Sequence, residues 1–227
     1  MEFETACNNG DLNTIKSLIG TVDINQKLPS TNFHGTYKTY LDTAVSNGYE
    51  DVVDYFCSLP RIQYGNGHKP TIYRAVNNGN VKTARMIKER FPVDFTITKG
   101  NGECLLGLAV RSNSLDMVKF LVEECHMDVN HRNVHGFTPL YIACNEHHVD
   151  TDIPAYLLSR SDIVVEQNNM NKLSLLHLSC LSAKFDLFKL LYPLIDANLK
   201  DKHGKTALDY AKERSCIEIF DYVKSLS

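Results

Sequence analysis

HGFTPLYIAC, residues 135–144, decides how the rest of the chain is read. Gly136 sits in a short tip and supplies the positive φ that a tight turn demands. Thr138 offers a hydroxyl to cap a helix, and Pro139 fills the first helical place, where no N–H is needed. Leu140 and Ala143 then lie three apart, on one helical face. The same small residue on the same apolar face recurs at Ala6, Ala44, Ala75, Ala109, Ala143, Ser179 and Ala211, at intervals of 38, 31, 34, 34, 36 and 32 residues. Set with the cap five places earlier, the copies read TYLDTA from Thr39, PTIYRA from Pro70, CLLGLA from Cys104, TPLYIA from Thr138, SLLHLS from Ser174 and TALDYA from Thr206. The third and fourth copies, which begin with Pro70 and Cys104, are degenerate, and the fifth is the best formed.

A T-P-L-x-x-A opening behind a glycine turn resembles the ankyrin repeat, whose period is about 33 residues. Asp23-Ile24-Asn25 and Asp128-Val129-Asn130 resemble that family's exit from the second helix. The resemblance covers essentially the whole chain. It implies an all-α solenoid of stacked helix-turn-helix units with β-hairpin-like connecting tips. The expected organisation is a single domain over 1–227, with repeats at approximately 1–31, 32–66, 67–100, 101–134, 135–169, 170–201 and 202–227.

Composition narrows the function classes. A chain of 227 residues ordinarily makes one or two globular domains, but so short an internal period points to an elongated stack. The formal charge is −3 and no long basic run occurs, so the phosphate-neutralising stripe of a nucleic-acid binder is missing. The seven cysteines are odd in number, scattered and never spaced C-x-x-C, which favours free thiols in a reducing compartment. Cys7, Cys144 and Cys180 directly follow the small residue of their copies, where a free cysteine serves as a small buried apolar group. The opening MEFETACNNG is acidic and enters the pattern at once, so no ordinary secretory signal is expected, and no apolar run reaches membrane-spanning length. A cytoplasmic monomer is the expectation.

Read in order, Asn9-Gly10, Asn47-Gly48 and Asn78-Gly79 predict the turns of the first three helix pairs. Leu12, Ile15, Leu18 and Ile19 predict the buried stripe of the first outer helix. The interval after Ala6 is the longest, which places an enlarged hairpin or loop at Leu28–Tyr37. Glu50, Asp51 and Asp54 on one outer helix face Lys82, Arg85, Lys88 and Arg90 on the next. In the fifth unit the turn glycine is lost and residues near Thr151 and Asp152 look inserted, which puts Pro154 in the first turn of its helix. The last unit ends in KERSCIEIFDYVKSLS, charged on one side as a terminal cap must be.

The family resemblance assigns binding to the hairpin tips and the exposed side of the first helices. Just before the caps stand Lys38, Lys69, Glu103, Phe137, Leu173 and Lys205. Two places after the small residues stand Asn8, Ser46, Asn77, Arg111, Asn145, Leu181 and Glu213. Phe137, Leu173 and Leu181 converge as an apolar patch, which Val134 extends; Tyr37, His68 and His135 flank the row at the tips. An aromatic and two leucines rimmed by polar groups fit the anatomy of a protein interface; the competing reading folds Leu173 and Leu181 inward against an apolar sixth repeat. His34, His68, His135 and His203 lie at or beside tips, and a His131–His135 metal pair is weakened by its place in a turn without a supporting carboxylate. Gly65-Asn66-Gly67 and Gly100-Asn101-Gly102 are hairpin tips without phosphate-loop spacing, and no G-x-S-x-G elbow or H-E-x-x-H helix occurs. The expectation is therefore no enzyme, no cofactor and no metal: a module that binds a protein or peptide on a concave face. The alternative is a regulatory subunit or inhibitor that occludes an enzyme's active site.

Overall fold

The computed structural model describes residues 2–29, 37–64, 71–165 and 172–226. They divide into two compact units, Met1–Phe95 and Thr96–Ser227. The architecture is all-α: within each unit helix-turn-helix pairs stack inner helix on inner helix and outer on outer.

In the first unit the pairs are α1 (Glu2–Asn9) with α2 (Leu12–Leu18), α3 (Tyr40–Asn47) with α4 (Glu50–Ser58), and α5 (Thr71–Asn77) with α6 (Val81–Arg90). Such short helices do not persist alone, so local caps fix where they start and stacking keeps them. Asp11 accepts the Thr14 N–H at 3.1 Å to start α2, and Asn80 accepts that of Thr83 at 2.9 Å to start α6. Thr39 and Asp42 form a reciprocal capping box on α3. The predicted turns at Gly10, Gly48 and Gly79 have φ of 71, 75 and 66°. Leu28–Pro29 pairs antiparallel with Tyr37–Lys38, so the long interval opens and closes as a hairpin; its residues 30–36, like the Pro70 cap and the Gly65-Asn66-Gly67 tip, lie outside the described residues. Glu50 and Lys82 pair at 2.7 Å across neighbouring outer helices, as the charge pattern predicts. Of the stripe expected on α2, Ile15 is fully buried, while Leu12, Leu18 and Ile19 are half-buried. A pair at the end of a stack has a neighbour on one side only, so a full apolar stripe is not covered.

The second unit holds α7 (Leu105–Arg111) with α8 (Leu115–Lys119, continued by a π-helical turn at Phe120–Glu124), then α9 (Pro139–Asn145) with α10 (Asp152–Leu158). α11 (Leu175–Leu181) with α12 (Phe185–Leu191), and α13 (Ala207–Glu213) with α14 (Ile217–Ser225), complete it. Thr138 caps α9 through the Tyr141 N–H at 3.1 Å, with Pro139 at the first helical place. Cys104, in a degenerate copy, makes no side-chain cap. The inserted stretch before α10 carries buried Val149, and Pro154 falls within the first turn of that helix.

All seven array residues are buried. Ser179 fits among the alanines because its hydroxyl donates to the Leu176 carbonyl at 2.7 Å. The residue after each is equally instructive: Cys7, Val45, Val76, Val110, Cys144 and Cys180 are buried, whereas Lys212 is exposed. The last pair thus presents charge where the others present packing.

Where the first unit uses glycine to turn from inner to outer helix, the second uses Asn113, Ala183 and Ser215, at φ of 52, 52 and 55°. A left-handed conformation costs a Cβ-bearing residue about 1–2 kcal/mol. Ala183→Gly is expected to raise the stability of the second unit by roughly 1 kcal/mol, read as a higher urea midpoint; a lower midpoint would show that the turn is not strained.

Candidate interaction face

In the first unit Tyr37 and Lys38 are half-buried on the second strand of the hairpin, with the Lys27 ammonium 4.4 Å from the Tyr37 ring centre, and Asn77 is exposed at the end of α5. His68, Lys69 and His34 lie outside the described residues. The remaining nine predicted residues, Glu103, Arg111, Val134, His135, Phe137, Asn145, Leu173, Leu181 and Lys205, belong to the second unit, on the tips and inner helices that stack side by side there.

A register emerges from their spacing. In two of the four repeats the residue before the cap and the residue eight further on form an ion pair along the inner helix. Glu103 meets Arg111 at 2.6 Å and Lys205 meets Glu213 at 2.5 Å, the same two places with the charges exchanged. Between these ionic ends the places hold Phe137 with Asn145 and Leu173 with Leu181. Phe137, Leu173 and Leu181 are half-buried, neither fully exposed nor folded into the core. Phe137 lies flat on Tyr141, ring centres 4.3 Å apart at 11°, and the His135 ring is 5.8 Å away. Val134, at the tip, is 67% exposed.

The tips are built to hold these side chains still. Asn133 is buried and its Oδ1 accepts the N–H groups of His135 and Phe137 at 2.9 and 3.0 Å. Asp201, the same distance before the next-but-one cap, accepts those of His203 and Lys205 at 2.8 and 2.9 Å and the Tyr210 hydroxyl at 2.6 Å. The Tyr210 hydroxyl, with the two backbone N–H groups, holds the Asp201 carboxyl down at about 2. The Val134 N–H donates to the Asn101 carbonyl at 3.0 Å, tying neighbouring tips together. Sequence reading missed Asn133, Asp201 and Tyr141; the signal for the first two was an Asx residue five places before a threonine cap.

Glu103 departs from its expected place in the row. It is 3% exposed, turned inward between Lys99 at 2.8 Å and Arg111 at 2.6 Å, and so is not offered to a partner. Burial works against its ionisation, but the two cations outweigh that and keep its carboxyl below the usual range. Space for it comes from Gly107: a Cβ there would stand 2.9 Å from the Glu103 Cγ. The unusual glycine of the CLLGLA copy is thus the counterpart of a buried carboxylate. Arg111 also pairs with Glu146 on the neighbouring repeat.

Burial pushes the thiols of Cys7, Cys144 and Cys180 up to about 12 and that of Cys57 to about 11, which leaves them protonated and poor nucleophiles. The His131 Nε2 lies 2.8 Å from the Gly102 carbonyl, so that ring is engaged by backbone. Among the described residues no group of three or more His, Cys, Asp or Glu is placed to hold a metal ion, and no helix is long and apolar enough to cross a membrane.

Comparison with known proteins agrees with this architecture. A family model described as ankyrin repeats matches in three copies over residues 72–167. The ankyrin repeat and SAM domain-containing protein 6 of Rattus norvegicus is 29% identical over 137 residues, 58% of this chain and 15% of that protein. Alpha-latrotoxin-Lg1a of Latrodectus geometricus is 30% identical over 132 residues, 56% of this chain and 9% of the toxin. The chain therefore spans only a small part of the length of these relatives. With helix pairs stacked in register and the family's model matched in three copies, residues 72–167 of this chain are ankyrin repeats.

Proposed function

We propose that this chain is a non-catalytic module that holds a protein or peptide partner against the tips and inner helices of its second unit. Ankyrin repeats act in general as protein–protein interaction modules. The observation that carries the finer reading is the arrangement of Phe137, Leu173, Leu181 and Val134 between two ionic ends. Apolar anchors at the centre and charged groups at the rim are the layout in which a few central side chains supply most binding energy. The buried, protonated thiols accord with a module that performs no chemistry, working as a monomer in the reducing cytosol. Neither nucleic acid nor membrane is a partner in this reading.

The test is selection of binders from a random peptide library on the wild-type chain, followed by affinity measurement on the Phe137→Ala/Leu181→Asp double variant. Losing one anchor at Phe137 and placing a charge at Leu181 is expected to weaken binding about 100-fold. Both residues are half-buried, so urea unfolding of the double variant is measured alongside. A folded double variant that binds the selected peptides as tightly as wild type would sink the proposal.

A further inference from the structure

The charges on the second unit's tips say what kind of partner the face takes. Two carboxylates occur in the described part of these tips, Glu103 and Asp201, and they are only 3% and 6% exposed. Glu103 is held by Lys99 and Arg111, and Asp201 by Tyr210 and two backbone N–H groups. By contrast Arg132, Lys172, Lys200 and Lys202 are exposed. Every exposed acidic or basic side chain in the described tip residues 97–103, 131–137, 172–173 and 199–205 is therefore a cation or a histidine, in a chain whose formal charge is −3.

Three of the four cations have an apolar residue next to them or two places away in the chain. Arg132 stands two residues before Val134, Lys172 directly before Leu173, and Lys200 directly after Leu199, which is 38% exposed. Cations set among aliphatic groups suit a peptide more than a nucleic acid, because single strands are held by basic grooves interleaved with free aromatic faces. Phe137, the aromatic of these tips, has one face already covered by Tyr141.

We propose that the partner is an acidic protein segment with apolar residues interspersed, lying along the tips of the second unit. Its carboxylates meet Arg132, Lys172, Lys200 and Lys202, and its apolar side chains rest on Val134, Leu173 and Phe137. Burying the partner's acids beside side chains that already carry the opposite charge gives complementarity, which steers encounter and rejects basic competitors. This rests on the reading that the face binds a protein at all.

The experiment reads the composition of the peptides enriched from the random library, then the affinity of the most enriched peptide for the Arg132→Glu/Lys172→Glu/Lys202→Glu triple variant. Single-stranded RNA of matched charge serves as a competitor. Enriched peptides are expected to be acidic with apolar residues between the acids, and the triple variant is expected to lose about ten-fold or more in affinity, less at high salt. Exposed positions leave the fold intact, checked by circular dichroism. Enrichment of neutral or basic peptides, an unchanged affinity for the triple variant, or displacement of the peptide by RNA at lower concentration than by unlabelled peptide overturns the inference. Loss of binding in the Phe137→Ala/Leu181→Asp variant with none in the charge-reversed one leaves the protein-binding reading standing and removes this one; no enrichment at all removes both.

Discussion

Leu140→Ala is expected to lower the stability of the second unit by about 2–5 kcal/mol, the range for a truncated core leucine. Its side chain has no exposed surface, and α9 lies between α7 and α11. Truncation therefore damages packing toward both neighbours at once, and short helices stiffened by two stacked layers have little freedom to collapse into the void. Leu208 holds the matching place in α13, where it is half-buried because the stack covers it on one side. Leu208→Ala accordingly costs less. Urea unfolding followed by circular dichroism separates the two variants, and amide hydrogen exchange shows the Leu140→Ala loss spreading into α7 and α11. Equal losses for both variants would mean that stacking on two sides does not set the energy.

Lys184→Met is the other substitution with a large expected effect, about 1–3 kcal/mol. The Lys184 ammonium donates to the carbonyls of Glu146 and Val149, each at 2.7 Å, and so fastens the start of one outer helix to the end of the preceding inner helix and the loop after it. Burial disfavours its charged form and outweighs the nearby Cys144, Asp150 and Glu146, which leaves its pKa below the usual lysine range. Methionine keeps most of the stem's packing but takes the donor from the Val149 carbonyl, while the Glu146 carbonyl keeps the Val149 N–H at 3.3 Å, and a buried group left unsatisfied costs about 1–3 kcal/mol. Lys189, within the helix that Lys184 starts, pairs with Asp186 at 2.7 Å and lies 4.6 Å from the Phe185 ring centre, and its side chain and that of Asp186 are exposed. Lys189→Met is the matched control, expected within about 0.5 kcal/mol of wild type. A Lys184→Met melting curve that overlays the control would show that the Val149 carbonyl finds water instead.

Much of the fold was legible because its signals are local. A threonine five residues before a small residue marks a helix start wherever it stands, and Thr39, Thr138 and Thr206 all cap as their spacing predicts. The array residues had to be small because helices pack closely there, and all seven are buried. The degenerate copies were harder. Gly107 reads as a defect in a helix until Glu103 is seen filling the space that its missing side chain leaves. Likewise a row of residues before the caps looks uniformly outward-facing in the sequence, yet Glu103 turns inward while Phe137 and Leu173 stay at the surface boundary.

By itself the sequence determined the helix-pair repeat, its period and its caps, because each depends on residues within one or two turns of each other. Only the tertiary structure decided which of the tip side chains are engaged from within. Whether a charged side chain faces solvent or a neighbour depends on how each tip folds back on its own inner helix: Arg111 and Lys99 close on Glu103, and Tyr210 on Asp201. Those pairings set the balance of charge on the tips, and they form only when tip and inner helix are folded against each other.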